Sequence, residues 1–115
     1  MISEKGALSG STTMLVLKLL DTKDMYGYQI IDELSKRSDD VFRLKTGTLY
    51  PLLHGLENDG IVTSYNENAD SRRVRKYYRL TGKGRDLLAL KESEWSAYTK
   101  AVGLVMDGGA RYAFA

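Results

Sequence analysis

Apolar positions recur along this chain at two different periods, and the switch between them divides it into elements. Met14, Leu15, Val16, Leu17, Leu19 and Leu20 form a nearly continuous apolar run behind Ser9 to Thr13, a stretch with several N-cap side chains. That combination predicts a short, largely buried first helix. Asp21 to Asp24 form the loop after it, and Asp24 is placed to cap a second helix over about Met25 to Ser38. Within that helix Gly27, Ile30, Ile31 and Leu34 fall on one side, while Gln29, Glu33, Lys36 and Arg37 point elsewhere. Val41, Phe42 and Leu44 then read as an extended connector or a small strand.

The stretch GTLYPLLHGLENDGIV, residues 47 to 62, predicts a third helix. Leu49, Leu52, Leu53 and Leu56 follow the spacing i, i+3, i+4, i+7 and make a stripe for the core. Gly47, Pro51, His54 and Asn58 lie opposite, with Tyr50 on the flank. Thr46 or Thr48 serves as cap, and Pro51 is expected in the first turn, where backbone N–H groups lack intrahelical partners. Gly60 stands where a left-handed residue ends a helix at least cost.

Period-two alternation follows. Ile61 to Asn66 and Val74 to Leu80 predict two strands, joined by the polar loop Glu67 to Arg73. In the second strand Val74, Lys76, Tyr78 and Leu80 share one face, of which Tyr78 and Leu80 belong to the core. Arg73, Arg75, Tyr77 and Arg79 share the other. Thr81 caps a long last helix that is expected to stop near Asp107 at Gly108 and Gly109, leaving a loose tail. Leu88, Trp95, Tyr98, Val102 and Val105 repeat on it with steps near 3 and 4, a seam for a second helix interrupted only at Lys91 and Glu92. A body this small buries such a stripe most readily against a two-fold partner. Three helices, a hairpin and a long helix make a mostly α fold with a small β-hairpin, an α+β winged helix-turn-helix. The expected division is a winged helix-turn-helix head over residues 1–80, a helix for pairing over 81–109 and a flexible tail over 110–115.

Bulk composition narrows the function. The chain has 115 residues, 43% apolar and 28% charged, which is ordinary for one small globular domain. There is no cysteine and only one histidine, His54, so no thiolate or histidine cluster for a metal exists, and no cofactor is expected. No nucleophile with a base and no glycine-rich phosphate loop is visible, which argues against an enzyme. The longest apolar run, Met14 to Leu20, is broken by Lys18 and is too short to span a bilayer, so no membrane partner and a cytoplasmic location are expected. Net charge is only +2, but Arg72, Arg73, Arg75, Lys76, Arg79, Lys83 and Arg85 supply seven of the 17 basic residues within fourteen positions. Such a local cationic stripe suits a polyanion.

In a winged helix the third helix lies in the major groove and the hairpin meets phosphates or the minor groove. Lys45, Thr46, Gly47, Thr48, Tyr50, Pro51 and His54 are accordingly the expected contacts of that helix with double-stranded DNA. Arg72, Arg73, Arg75 and Lys76 are the expected phosphate contacts of the wing, and Tyr26 and Tyr28 either touch the backbone or pack. A winged-helix module that binds protein instead of DNA is the alternative.

YGYQIIDEL, GTLYPLLHGLENDGIV and RRVRKYYRLTGKGRDLL together resemble the PadR-like transcriptional regulators, over roughly Leu8 to Leu88. The single helix after the wing is similar to the shorter subfamily. The resemblance implies a homodimeric repressor joined by the last helix and acting on a palindromic operator. It also implies release by a small planar aromatic or drug-like effector taken up between the subunits, with Trp95 and Tyr98 as the stacking surface. Gly55 departs from the pattern, which usually has Arg or Lys there.

Overall fold

A computed structural model describes residues 11–70 and 73–113, and its element order is α1 (Thr12–Thr22), β1 (Met25–Tyr26), α2 (Gly27–Arg37), α3 (Thr46–Asn58), β2 (Val62–Asp70), β3 (Arg73–Leu80) and α4 (Gly82–Ala113). One apolar cluster joins them. Val16, Leu17 and Leu20 of α1, Ile30 and Leu34 of α2, Leu49, Leu53 and Leu56 of α3, Tyr78 and Leu80 of β3 and Leu88 of α4 are all buried in it. Leu52, the remaining leucine of the predicted stripe, packs against its edge.

The second helix starts later than the sequence suggests. Met25 and Tyr26 form a two-residue strand instead, opposite Tyr78 and Tyr77, and the sheet runs β1-β3-β2. A strand edge left open at β3 would expose unpaired N–H and C=O groups, and this short strand closes it while burying Met25 completely. Asp24 is therefore not a helix cap; its carboxylate is engaged by Tyr65 and Arg79 across the sheet. Val41, Phe42 and Leu44 form no strand. Asp39 and Asp40, at φ 51° and 64°, turn the chain out of α2, and the Phe42 N–H donates to the Ser38 hydroxyl at 3.0 Å.

Helix α3 begins at Thr46 with Lys45 as its flanking residue, so neither threonine is the cap. Pro51 consequently lies beyond the first turn, and the carbonyl of Gly47 has no proline N–H to accept from. Gly60 follows the helix at φ 74°, as its position predicts. The strands of the hairpin pair further than expected: Glu67 and Asn68, placed in a loop by the sequence reading, stand opposite Arg75 and Val74, with a bulge between Asn68 and Asp70. Opposite charges facing each other across the ladder favour this extension. Thr81 caps α4 as expected, its hydroxyl accepting from the Gly84 N–H at 3.0 Å.

Helix α4 passes Gly108 and Gly109 and continues to Ala113, so residues 110–113 are helical rather than a loose tail. Glycine raises the helix energy by about 1 kcal/mol without forbidding it, and Ala110, Arg111 and Ala113 are good helix formers. Only the first part of α4 packs on the head, where Lys18–Glu92 at 3.6 Å and Arg85–Asp21 at 3.8 Å bridge it to α1. The rest projects. The molecule measures 67 × 30 × 21 Å with a radius of gyration of 17.3 Å, against about 13 Å for a compact chain of this length.

Candidate nucleic-acid interface

The buried leucines hold α3 by one side and turn the other outward. Lys45, Thr46, Gly47, Thr48, Pro51, His54 and Asn58 are all exposed. Next to this face an open groove of about 670 Å³ separates α3 from the turn-proximal half of the hairpin. Tyr28, Tyr50 and His54 line one wall, while Arg73, Arg75 and Lys76 line the other; Tyr26 and Gly27 lie at its end. Seven of the expected contacts thus meet in one place. Arg72 lies outside the described residues.

Gly27 explains how the groove is shaped. A Cβ added there would collide with the Tyr50 hydroxyl and ring, so only glycine lets Tyr50 lie across the start of α2. Burial, then the neighbouring Tyr28 and Tyr78 hydroxyls, push the Tyr50 phenol up from its ordinary value. It stays a neutral donor at physiological pH. Tyr28 is 66% exposed and presents its ring beside it.

The basic stripe divides. Arg79 is held by Asp24, Lys83 Nζ donates to the Asp59 carbonyl at 2.8 Å, and Arg85 pairs with Asp21, so these three serve the scaffold. Arg75 lies over the Tyr26 ring, 4.4 Å from its centroid, and both residues line the groove. Lys76 Nζ stands 3.6 Å from Glu57, whose carboxyl is held below the usual range by the Ser64 hydroxyl, with help from Lys76 and His54 against the effect of burial. That ion pair is half-exposed, so it adds little and a phosphate can displace it. Sequence reasoning missed Gly27, Glu57, Tyr65 and Asp24 as parts of this region. A glycine between two tyrosines at a helix start was the available signal for the first; the others depend on tertiary pairing.

On α4 the Trp95 and Tyr98 rings stack at 5.9 Å and 29°, exposed by 47% and 62%. Val102 and Val105 are exposed on the same side. Leu88 is not part of that open stripe: it is 3% exposed and belongs to the head core, because α1 covers this turn of the helix. Among the described residues no helix is long and apolar enough to cross a membrane, and no group of three or more ligating side chains could hold a metal.

An anchored third helix with an exposed outer face, beside a hairpin whose turn-proximal half carries three cations, defines a winged helix-turn-helix DNA-binding protein. Comparison with known proteins then assigns the family. The chain belongs to the transcriptional regulator PadR-like family, whose model matches residues 16–90. It is 33% identical over 101 residues to an uncharacterised protein of Lysinibacillus sphaericus, covering 88% of this chain and 93% of that one. A transcriptional regulator from Clostridium thermocellum superposes with a TM-score of 0.77 at 30% identity, covering 84% of this chain and 93% of the other. A PadR family transcription regulator from Clostridium difficile superposes with 0.71 at 35% identity, over 84% and 98%. The protein is a DNA-binding transcriptional regulator, not an enzyme.

Proposed function

We propose that the protein is a cytoplasmic repressor that binds a palindromic operator as a homodimer. Helix α3 enters the major groove with Lys45, Thr46, Gly47, Thr48, Pro51 and His54 toward the DNA. Tyr26, Tyr28 and Tyr50 flank the backbone, and Arg72, Arg73, Arg75 and Lys76 take its phosphates. The observation that carries this reading is the groove that joins α3, the start of α2 and the turn-proximal half of the wing. Two copies meet through Trp95, Tyr98, Val102 and Val105, which α4 leaves exposed. A planar aromatic effector stacks on Trp95 and Tyr98 and shifts the angle between the heads.

Selection of bound fragments from random duplexes, repeated at two salt concentrations, tests the reading. The recovered sites should be inverted repeats with centres about 34 Å or a multiple apart, and binding should weaken as salt rises. Fragments without symmetry, bound equally at both salts, are the contrary result. Trp95 is the only tryptophan, so aromatic effectors should quench its fluorescence; no quenching by any lipophilic cation or phenolic removes the effector from the proposal.

A further inference from the structure

Asp24 lies outside the groove, in the loop between α1 and β1, yet three donors converge on one of its oxygens. Tyr65 Oη donates to Oδ2 at 2.6 Å, and Arg79 reaches the same atom through Nε at 3.1 Å and Nη2 at 3.0 Å. Because Tyr65 belongs to β2 and Arg79 to β3, one carboxylate clasps both strands of the wing at their base. From the clasp a chain of rings crosses the sheet. Arg79 lies over Tyr65 at 5.0 Å, Tyr65 stacks on Tyr77 at 5.7 Å, and Tyr77 meets Tyr26 edge-on at 5.4 Å. Strand register sets these tyrosines in a row, with Tyr26 and Tyr65 both opposite Tyr77. The row ends at Arg75, whose guanidinium rests on Tyr26; both residues are among those that line the groove.

We propose that Asp24 and Tyr65 are positioning residues for DNA recognition: through the tyrosine row, their clasp fixes the pose of Arg75 against a backbone phosphate. This rests on the groove being the DNA interface. An arginine already seated on a ring loses less rotamer freedom when it binds. The Arg79 charge, which the sequence places in the DNA-binding stripe, is used to build this support.

The test measures binding of a duplex recovered by the selection above, across a salt series, for Asp24→Asn, Tyr65→Phe, Arg75→Ala and the double variant Asp24→Asn/Arg75→Ala, with folding followed by circular dichroism. Asp24→Asn should weaken binding by about five- to tenfold and flatten the salt slope by about one, as Arg75→Ala does. The double variant should bind no more weakly than Arg75→Ala alone, because both substitutions remove one contact. Tyr65→Phe keeps the stacked ring and should give a smaller loss in the same direction. Binding losses that multiply in the double variant overturn the inference. So do Asp24→Asn and Tyr65→Phe proteins that melt earlier but bind as the wild type does while Arg75→Ala is weakened. An Arg75→Ala protein with unchanged binding overturns the groove assignment itself, and the inference with it.

Discussion

Gly27 and Tyr50 show how one missing side chain positions a binding surface. The space a Cβ would need is filled by the Tyr50 hydroxyl and ring, so Gly27→Ala must push Tyr50 away or open α2 from α3. Such overpacking costs about 1–3 kcal/mol. The expected outcome is a lower urea midpoint together with weaker DNA binding; adding Tyr50→Leu should return most of the stability, because the shorter side chain vacates the site. Asp24 supplies a second prediction, in pH. Burial tends to raise its carboxyl, but the Tyr65 and Arg79 hydrogen bonds outweigh it and hold the group below the ordinary carboxylate value. The stability it contributes is therefore present above that value, about pH 4, and is lost as pH falls through the lower folded value. Melting temperatures of the wild type and Asp24→Asn should differ by a constant amount from pH 7 to 5 and converge below about pH 4. The sequence read Asp24 as a helix cap, since an aspartate before an apolar helical run has that local signature. Its real partners lie 41 and 55 residues away, beyond the reach of local pattern.

Elements with strong periodicity were legible and those made by pairing were not. The leucine stripe announced α3, its inner and outer faces and its glycine stop, because a half-buried helix writes its burial into the sequence every three or four residues. Strand β1 has only two residues, too few for any period, and exists because β3 needs a neighbour. The end of α4 was misplaced because glycine marks a permissible helix end, not a required one. Gly55 makes a prediction at this scale. It is exposed inside α3, and a Cβ there would meet nothing within 4 Å. Gly55→Ala should stabilise the head by about 0.5–1 kcal/mol, seen as a melting temperature raised by a few degrees. If this face of α3 meets DNA, Gly55→Lys should also tighten binding and steepen the salt slope by about one. A Gly55→Lys protein with the wild-type slope would place the residue away from the phosphates.

At the scale of the whole molecule, the projecting half of α4 is the feature a single chain does not explain. Trp95, Tyr98, Val102 and Val105 lie within about 80° of one another at 100° per residue, in line with Leu88 on the head-packing side. The stripe that seals the head thus runs on past it with nothing covering it, and Val105 is 79% exposed. Contiguous apolar surface of this kind marks an interface. Pairing of two such helices would hold two heads at a fixed separation, so the second head would bind its half-site at an effective concentration near the millimolar range. Val105→Asp separates these contributions, since it removes nothing from the head core. Sedimentation should show the dimer replaced by monomer, with the thermal stability of the head retained. On a duplex carrying one half-site the variant should bind as the wild-type head does; on the full inverted repeat it should lose the additional affinity that linkage supplies. A Val105→Asp protein that stays dimeric and keeps full operator affinity would move the interface to another face of α4.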